Sequence, residues 1–164
     1  MSRAYIGLGG NLGDVFSTMS SAVQALKQYS DINSVRLSSF YQSDPLGNAD
    51  QPKYINAVAQ LETTLTADQL LTVLQEIELR FGRVRTAEQW SSRTLDLDII
   101  LFDDLQLSSE CLTIPHAGML VRDFVLVPLF ELAPELVIAG YGPLSQALQV
   151  CENRGLKKLN MEIN

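Results

Sequence analysis

Arg93-Thr94-Leu95-Asp96-Leu97-Asp98-Ile99-Ile100-Leu101-Phe102 is the stretch on which the fold turns. Alternate residues of a strand share a face. Residues 94–102 therefore read as a strand, with Leu95, Leu97, Ile99 and Leu101 facing the core. Asp96 and Asp98 face the other way, and Ile100 and Phe102 continue their side. The two carboxylates then originate roughly 7 Å apart, from the strand rise. At that separation they repel by about 2.4 kcal/mol at an effective dielectric near 20. A divalent cation turns the repulsion into attraction, and hard oxygen donors suit magnesium completed by water and substrate phosphates. The polar outer face of a half-exposed strand would show the same alternation, so the neighbours must decide.

Upstream, Arg80, Arg83, Arg85 and Arg93 fall within fourteen residues, with Trp90 among them. A helix end with cations near its carboxyl dipole is one explanation. A pocket for a small anion is the other. The helix leading into the cluster starts at a capping box, Thr66-Ala67-Asp68-Gln69. Leu70, Leu74, Ile77 and Phe81 follow at helical spacing, and Gly82 supplies the stop. Gln75 and Glu78, three apart, share a face away from Leu74 and Ile77, turned either to solvent or to a nucleotide.

Further upstream, residues 4–8 read as a buried strand. Gly7-Leu8-Gly9-Gly10-Asn11-Leu12-Gly13 fails the dinucleotide fingerprint, because Leu12 stands where its third glycine belongs. A tight strand-to-helix turn is the better reading, followed by a helix with Val15, Met19, Ala22, Val23 and Leu26 on one side. Residues 35–42 and 56–63 read as strands. The loop between them carries Pro45, Gly47 and Pro52 and is long enough to be functional. Downstream, Ile114-Pro115-His116 marks a bend. Residues 124–132 run through Pro128 into a short helix, and Pro143 opens a last helix to about Val150. The order strand, helix, strand, strand, helix, strand fits an α+β sandwich, a largely antiparallel sheet with helices packed on it.

The 164 residues fit one domain, 46% hydrophobic and 19% charged. No apolar run approaches the roughly 20 residues a membrane span needs. Met1-Ser2-Arg3-Ala4-Tyr5-Ile6 lacks the features of a secretory signal. Cys111 and Cys151 match no metal spacing and read as unpaired thiols. These features fit a cytoplasmic protein. A net charge of −7 argues against a broad nucleic-acid surface.

Cations beside an acidic pair are what phosphoryl or pyrophosphoryl transfer requires, because metal and arginine together stabilise the charge of the transferring group. There is no G-x-x-x-x-G-K-[ST] loop. His116 is the only histidine and so the only candidate base for a serine-type triad. Tyr54, Asn56 and Phe124 offer two rings and an amide, suited to a flat heterocycle. A non-catalytic nucleotide-binding module and a magnesium-dependent phosphohydrolase remain as alternatives.

Several motifs, in order, resemble the 6-hydroxymethyl-7,8-dihydropterin pyrophosphokinases of folate biosynthesis. They are the opening Tyr5-Ile6-Gly7-Leu8-Gly9-Gly10-Asn11-Leu12-Gly13-Asp14, then Phe40-Tyr41-Gln42-Ser43-Asp44-Pro45-Leu46-Gly47. Asp50-Gln51-Pro52-Lys53-Tyr54-Ile55-Asn56, Arg93-Thr94-Leu95-Asp96-Leu97-Asp98-Ile99 and Ile114-Pro115-His116 complete the set. The resemblance implies a ferredoxin-like fold and transfer of pyrophosphate from ATP to the pterin, releasing AMP. It implies two magnesium ions on Asp96 and Asp98, with Arg83, Arg93 and Asp98 as catalytic residues. Gln75, Glu78, Arg83, Arg85, Trp90, Arg93, Ile99, His116 and Arg122 would surround ATP. Tyr54 and Phe124 would sandwich the pterin, with Asn56 and backbone near Ser43 and Leu46 reading its edge. Arg83 and Trp90 would sit on a loop that closes over the site. The expected partners are ATP and the pterin, with no nucleic acid or membrane, acting on a monomer. The run Gln89-Trp90-Ser91-Ser92 differs from the family pattern, which has a basic residue before the tryptophan, and Ala117 stands where a larger residue or proline is usual.

Overall fold

A computed structural model describes residues 1–11, 13–43, 53–81, 95–152 and 155–160. Strand β1 (Ser2–Gly10) runs past the expected stretch into the glycines. Asp14 caps helix α1 (Val15–Gln28), its Oδ1 accepting from the Ser17 N–H at 3.1 Å. The strand expected over 35–42 is two, β2 (Ile32–Leu37) and β3 (Phe40–Ser43). The break falls at Ser38-Ser39. There the Ser38 N–H donates to the Val58 carbonyl at 2.9 Å, and the Ser38 hydroxyl accepts from the Val58 N–H at 2.9 Å. A side chain thus replaces one rung of the ladder, and the chain turns without leaving a polar group bare.

Strand β4 (Tyr54–Thr63) precedes α2 (Ala67–Arg80), whose capping box forms as expected. Strand β5 (Asp96–Phe102) follows. A short ribbon of β6 (Leu107–Ser108) and β7 (Thr113–Ile114) leads to a single 3-10 turn, Met119–Val121. Helix α3 (Asp123–Leu132) carries Pro128 within it. A second ribbon, β8 (Val137–Ile138) with β9 (Gly142–Pro143), precedes α4 (Leu144–Val150), and β10 (Lys157–Leu159) is the last element among the described residues.

The main sheet has the order β10-β3-β4-β1-β5, with β2 also on β4, and its pairings are antiparallel. Helices α1 and α2 cover one face, where Met19, Leu26, Leu70, Leu74 and Ile77 pack on Ile6, Leu8, Leu61, Leu97 and Ile99. Helices α3 and α4 cover part of the other, where Leu126, Leu129 and Leu144 pack on Tyr5, Val58, Ile100 and Leu101.

The strict alternation expected along 94–102 fails at one point. Tyr5 pairs with Leu101 but Ile6 pairs with Ile99, so Ile100 is an extra residue in β5. This β-bulge shifts the side-chain phase. Leu95, Leu97 and Ile99 face α1 and α2 as expected. Beyond the bulge, Leu101 joins the opposite core and Phe102 the helix-side core, the reverse of the expectation.

Candidate active site

The face of the sheet turned toward α3 holds the residues of interest in rows. Tyr41 pairs with Asn56, Asn56 with Gly9, and Gly9 with Asp96, one row across β3, β4, β1 and β5. The next row is Val58, Gly7 and Asp98, and on the outer side Ser43 pairs with Tyr54. With strands about 4.8 Å apart, the Asn56 and Asp96 backbones lie roughly 10 Å from each other. Between them β1 contributes only glycine to this face, and side chains of the neighbouring strands lie close over it. A Cβ at Gly9 would meet the Asn56 Oδ1 at 2.6 Å, and one at Gly7 would meet the Ile100 Cδ1 at 3.2 Å. Gly7 and Gly9, in the run read as a tight strand-to-helix turn, instead lie within β1 and form a close-approach surface, which is what glycine inside a strand marks. Gly9 was not singled out by sequence reasoning. Its signal was a glycine continuing the period of a strand.

At one end of these rows stand Ser43, Tyr54 and Asn56, all half-buried. Phe124, also half-buried, comes from the first turn of α3 and packs beside Leu126 and its neighbours. Helix α3 is tied to β3 by Glu131. Its carboxylate accepts from the Tyr41 hydroxyl at 2.6 Å, from the Ser39 N–H at 2.8 Å and from the Ser39 hydroxyl at 3.1 Å. Burial raises the Tyr41 phenol far above its ordinary range, and the neighbouring Glu131 carboxylate adds to this, so Tyr41 stays a donor.

At the other end stand Asp96, half-buried, and Asp98, exposed. The bulge brings His116 to them, because the His116 N–H donates to the Ile100 carbonyl at 2.9 Å. Its Nδ1 accepts from the Gly118 N–H at 3.1 Å, which leaves the proton of the neutral ring on Nε2. Burial lowers the His116 ring below the ordinary histidine range. Asp98 pulls the other way, and the positive Arg122 adds to the lowering. A neutral imidazole with a free Nε2–H is a donor suited to a phosphate or a base edge. Gly118 lets Arg122 lie close, since a Cβ there would meet the guanidinium carbon at 2.8 Å. Arg122 in turn places its guanidinium carbon 5.9 Å from the centre of the Phe124 ring.

Among the described residues no group of three or more His, Cys, Asp and Glu converges on one point. The donor set is a pair of carboxylates on one face of β5, beside the glycines of β1. Magnesium is held in this manner when substrate phosphates and water complete its octahedron, so the residues present fit that ion.

A protein-family model described as "7,8-dihydro-6-hydroxymethylpterin-pyrophosphokinase (HPPK)" matches residues 5–134. The chain belongs to this family. A Haemophilus influenzae 2-amino-4-hydroxy-6-hydroxymethyldihydropteridine pyrophosphokinase is 45% identical over 160 residues, covering 98% of this chain and 99% of that protein. A Pseudomonas aeruginosa protein of the same description is 42% identical, covering 97% and 98%. A solved structure described as HPPK-DHPS in complex with substrates superposes with a TM-score of 0.73 at 11% identity, over 98% of this chain. The Plasmodium falciparum HPPK-DHPS A437G gives 0.71 at 14% identity, over 90%. The chain spans 47% and 45% of these two, so they share its fold over about half their length. The α+β, ferredoxin-like fold expected from the sequence is the fold of these HPPK domains.

Three nucleotide-side expectations take a particular form in this HPPK chain. Ile99 is 3% exposed, its side chain in the helix-side core, so only its backbone can meet a ligand. Gln75 is half-buried on α2. Glu78 does not share an outer face with it. It is 4% exposed, and its Oε2 accepts from the Leu97 N–H at 2.9 Å. The reason is that α2 packs beside the edge strand β5, which covers the flank next to the Leu74–Ile77 stripe. Arg83, Arg85, Trp90 and Arg93, with Gln89 and Ser91, lie outside the described residues, as does Leu46.

Proposed function

We propose that this chain transfers pyrophosphate from ATP to the hydroxymethyl group of 6-hydroxymethyl-7,8-dihydropterin and releases AMP. The observation that carries the reading is the row Asn56, Gly9, Asp96, with an amide at one end, a carboxylate at the other and a glycine between. A flat heterocycle between Tyr54 and Phe124, read by Asn56 and backbone near Ser43 and Leu46, would extend its side arm along that row. The arm then ends at Asp96 and Asp98. Gln75, Arg85, Arg93, the Ile99 backbone, His116 and Arg122 would hold ATP from the β5 side, with Arg83 and Trp90 closing over it.

Two magnesium ions, held by Asp96 and Asp98, would supply neutralising charge to the phosphate oxygens. The chain's own contribution is placement. The pterin oxygen is held in line with the β-phosphorus, a bond forms between them, and the bridge to the α-phosphate breaks with AMP leaving. Asp98, the more exposed of the pair, receives the hydroxyl proton. Loop closure would exclude water and suppress ATP hydrolysis. Residues 1–164 would act as one catalytic unit, monomeric and cytoplasmic, taking small molecules and neither nucleic acid nor membrane. Among the described residues no helix is long and apolar enough to cross a bilayer.

The test is purified protein with ATP, magnesium and the pterin. AMP formed only when pterin is present supports the proposal. Phosphate released without pterin makes the protein a phosphohydrolase, and nucleotide binding without turnover makes it a binding module. Omitting magnesium in the same assay should abolish AMP formation.

A further inference from the structure

Glu78 is an acidic residue nearly closed to solvent, near the carboxyl end of α2. Both circumstances are unfavourable to a carboxylate, because burial removes its hydration and the helix dipole repels it. Something must compensate, and one compensating contact is the Leu97 N–H.

That N–H has a particular place. Strand β5 is the edge of the main sheet. Its inner side pairs with β1, Gly9 opposite Asp96 and Gly7 opposite Asp98. The Leu97 N–H points outward, where a further strand would otherwise bind. The Glu78 carboxylate occupies the position such a strand's carbonyl would take. Leu97 is also the one residue between the two acids. Its side chain is 3% exposed in the helix-side core, and its neighbours' side chains emerge on the opposite face. Fixing the peptide at 97 therefore fixes the direction in which both Asp96 and Asp98 leave the strand.

We infer that Glu78 is a positioning residue for the acidic pair: it acts through the Leu97 N–H and sets the spacing and aim of Asp96 and Asp98. The property that matters is an acceptor oxygen at the right reach, and the negative charge is secondary. The inference rests on the reading of Asp96 and Asp98 as the magnesium carboxylates.

Two conservative variants separate reach from charge. Glu78→Gln keeps an acceptor oxygen at the same distance and loses the charge. Glu78→Asp keeps the charge and shortens the arm by one methylene. Three quantities are read: exchange of the Leu97 amide in ligand-free protein, the magnesium concentration for half-maximal turnover, and KM for the pterin. Glu78→Gln is expected to keep Leu97 exchange within about 3-fold of the parent and to raise the magnesium half-saturation clearly less than Glu78→Asp does. Glu78→Asp is expected to speed Leu97 exchange and to raise the magnesium half-saturation about 10–100-fold, as loss of an outer-shell partner does. Its pterin KM should stay within about 2-fold, because Tyr54, Asn56 and Phe124 stand on other elements. The inference is overturned if Glu78→Gln falls as far as Glu78→Asp, since charge would then be the property in use. It is equally overturned if Glu78→Asp frees the Leu97 amide but leaves the magnesium dependence unchanged. Asp98→Ala distinguishes the failure of the underlying reading: a normal magnesium dependence in that variant removes the carboxylate assignment itself, whatever Leu97 does.

Discussion

The two faces of the main sheet are made from the same strands and serve different ends. The face under α1 and α2 is continuous apolar packing, with Leu8, Leu61, Leu97 and Ile99 each at most 3% exposed. The face under α3 is apolar only in part. Toward the other end of the strands it carries Tyr54, Asn56, Asp96 and Asp98 around Gly7 and Gly9. The difference shows that a period of two lets each strand carry a core and a site at once. The site can be polar because the opposite face supplies the stability.

The comparison breaks most directly at Asp98. Asp98→Ala should lower kcat by at least about 10²–10³-fold, with an unchanged thermal midpoint, because the side chain is exposed on the site face. Near-normal turnover, or a large drop in thermal stability, would mean that the two faces are not separable in this way. The converse is Leu74→Ala on the helix face. Leu74 is fully buried, so a loss of about 2–5 kcal/mol in denaturant unfolding is expected. The folded fraction should keep a near-parental kcat.

Gly9→Ala sharpens the comparison, because it adds one methyl to the site face. The new Cβ would sit 2.6 Å from the Asn56 amide oxygen, so Asn56 must move. Overpacking of this kind costs about 1–3 kcal/mol. Titration of pterin and of ATP analogue binding should show a larger loss of affinity for the pterin than for the ATP analogue. Equal losses for both ligands would detach Asn56 from the pterin end.

The smallest expected effect lies at Glu131, where α3 is tied to β3. Burial alone would raise this carboxyl. The bonds from Tyr41 and Ser39, with the charge of Lys158, outweigh burial and hold it below its ordinary value of 4.5. A carboxyl whose folded pKa is depressed contributes stability that is present above its unfolded value and lost as pH falls through the folded one. Acid titration followed by circular dichroism should therefore show Glu131→Gln losing part of the parent's stability change below about pH 5. At pH 7 the variant should lose under about 1 kcal/mol, since the group is partly exposed. An identical acid limb in parent and variant would remove Glu131 from that transition.

The sequence carried what local chemistry determines. The capping box at Thr66, the strand period through Ile99, the helix through Pro128 and the start of the last helix at Pro143 all depend on near neighbours. What it concealed depends on partners distant in the chain. The break at Ser38-Ser39 arises because a hydroxyl accepts from Val58 on another strand. Glu78 is buried because an edge strand lies against its helix flank, a fact of packing that a helical wheel does not contain. At the site, the motif resemblance named the residues on both ends of the row. The place of Gly9 between them required the register of β1 against β4 and β5.

The bulge at Ile100 has a consequence for how this strand can change over evolutionary time. One extra residue reverses the phase of everything after it and releases the Ile100 carbonyl that holds His116. Apolar residues here can be exchanged for others of similar volume at modest cost. A single-residue deletion at 100 is different. It would send Leu101 and Phe102 to the wrong cores and withdraw the anchor of the only histidine. In this segment length is constrained more tightly than composition, so insertions and deletions are the changes it cannot absorb.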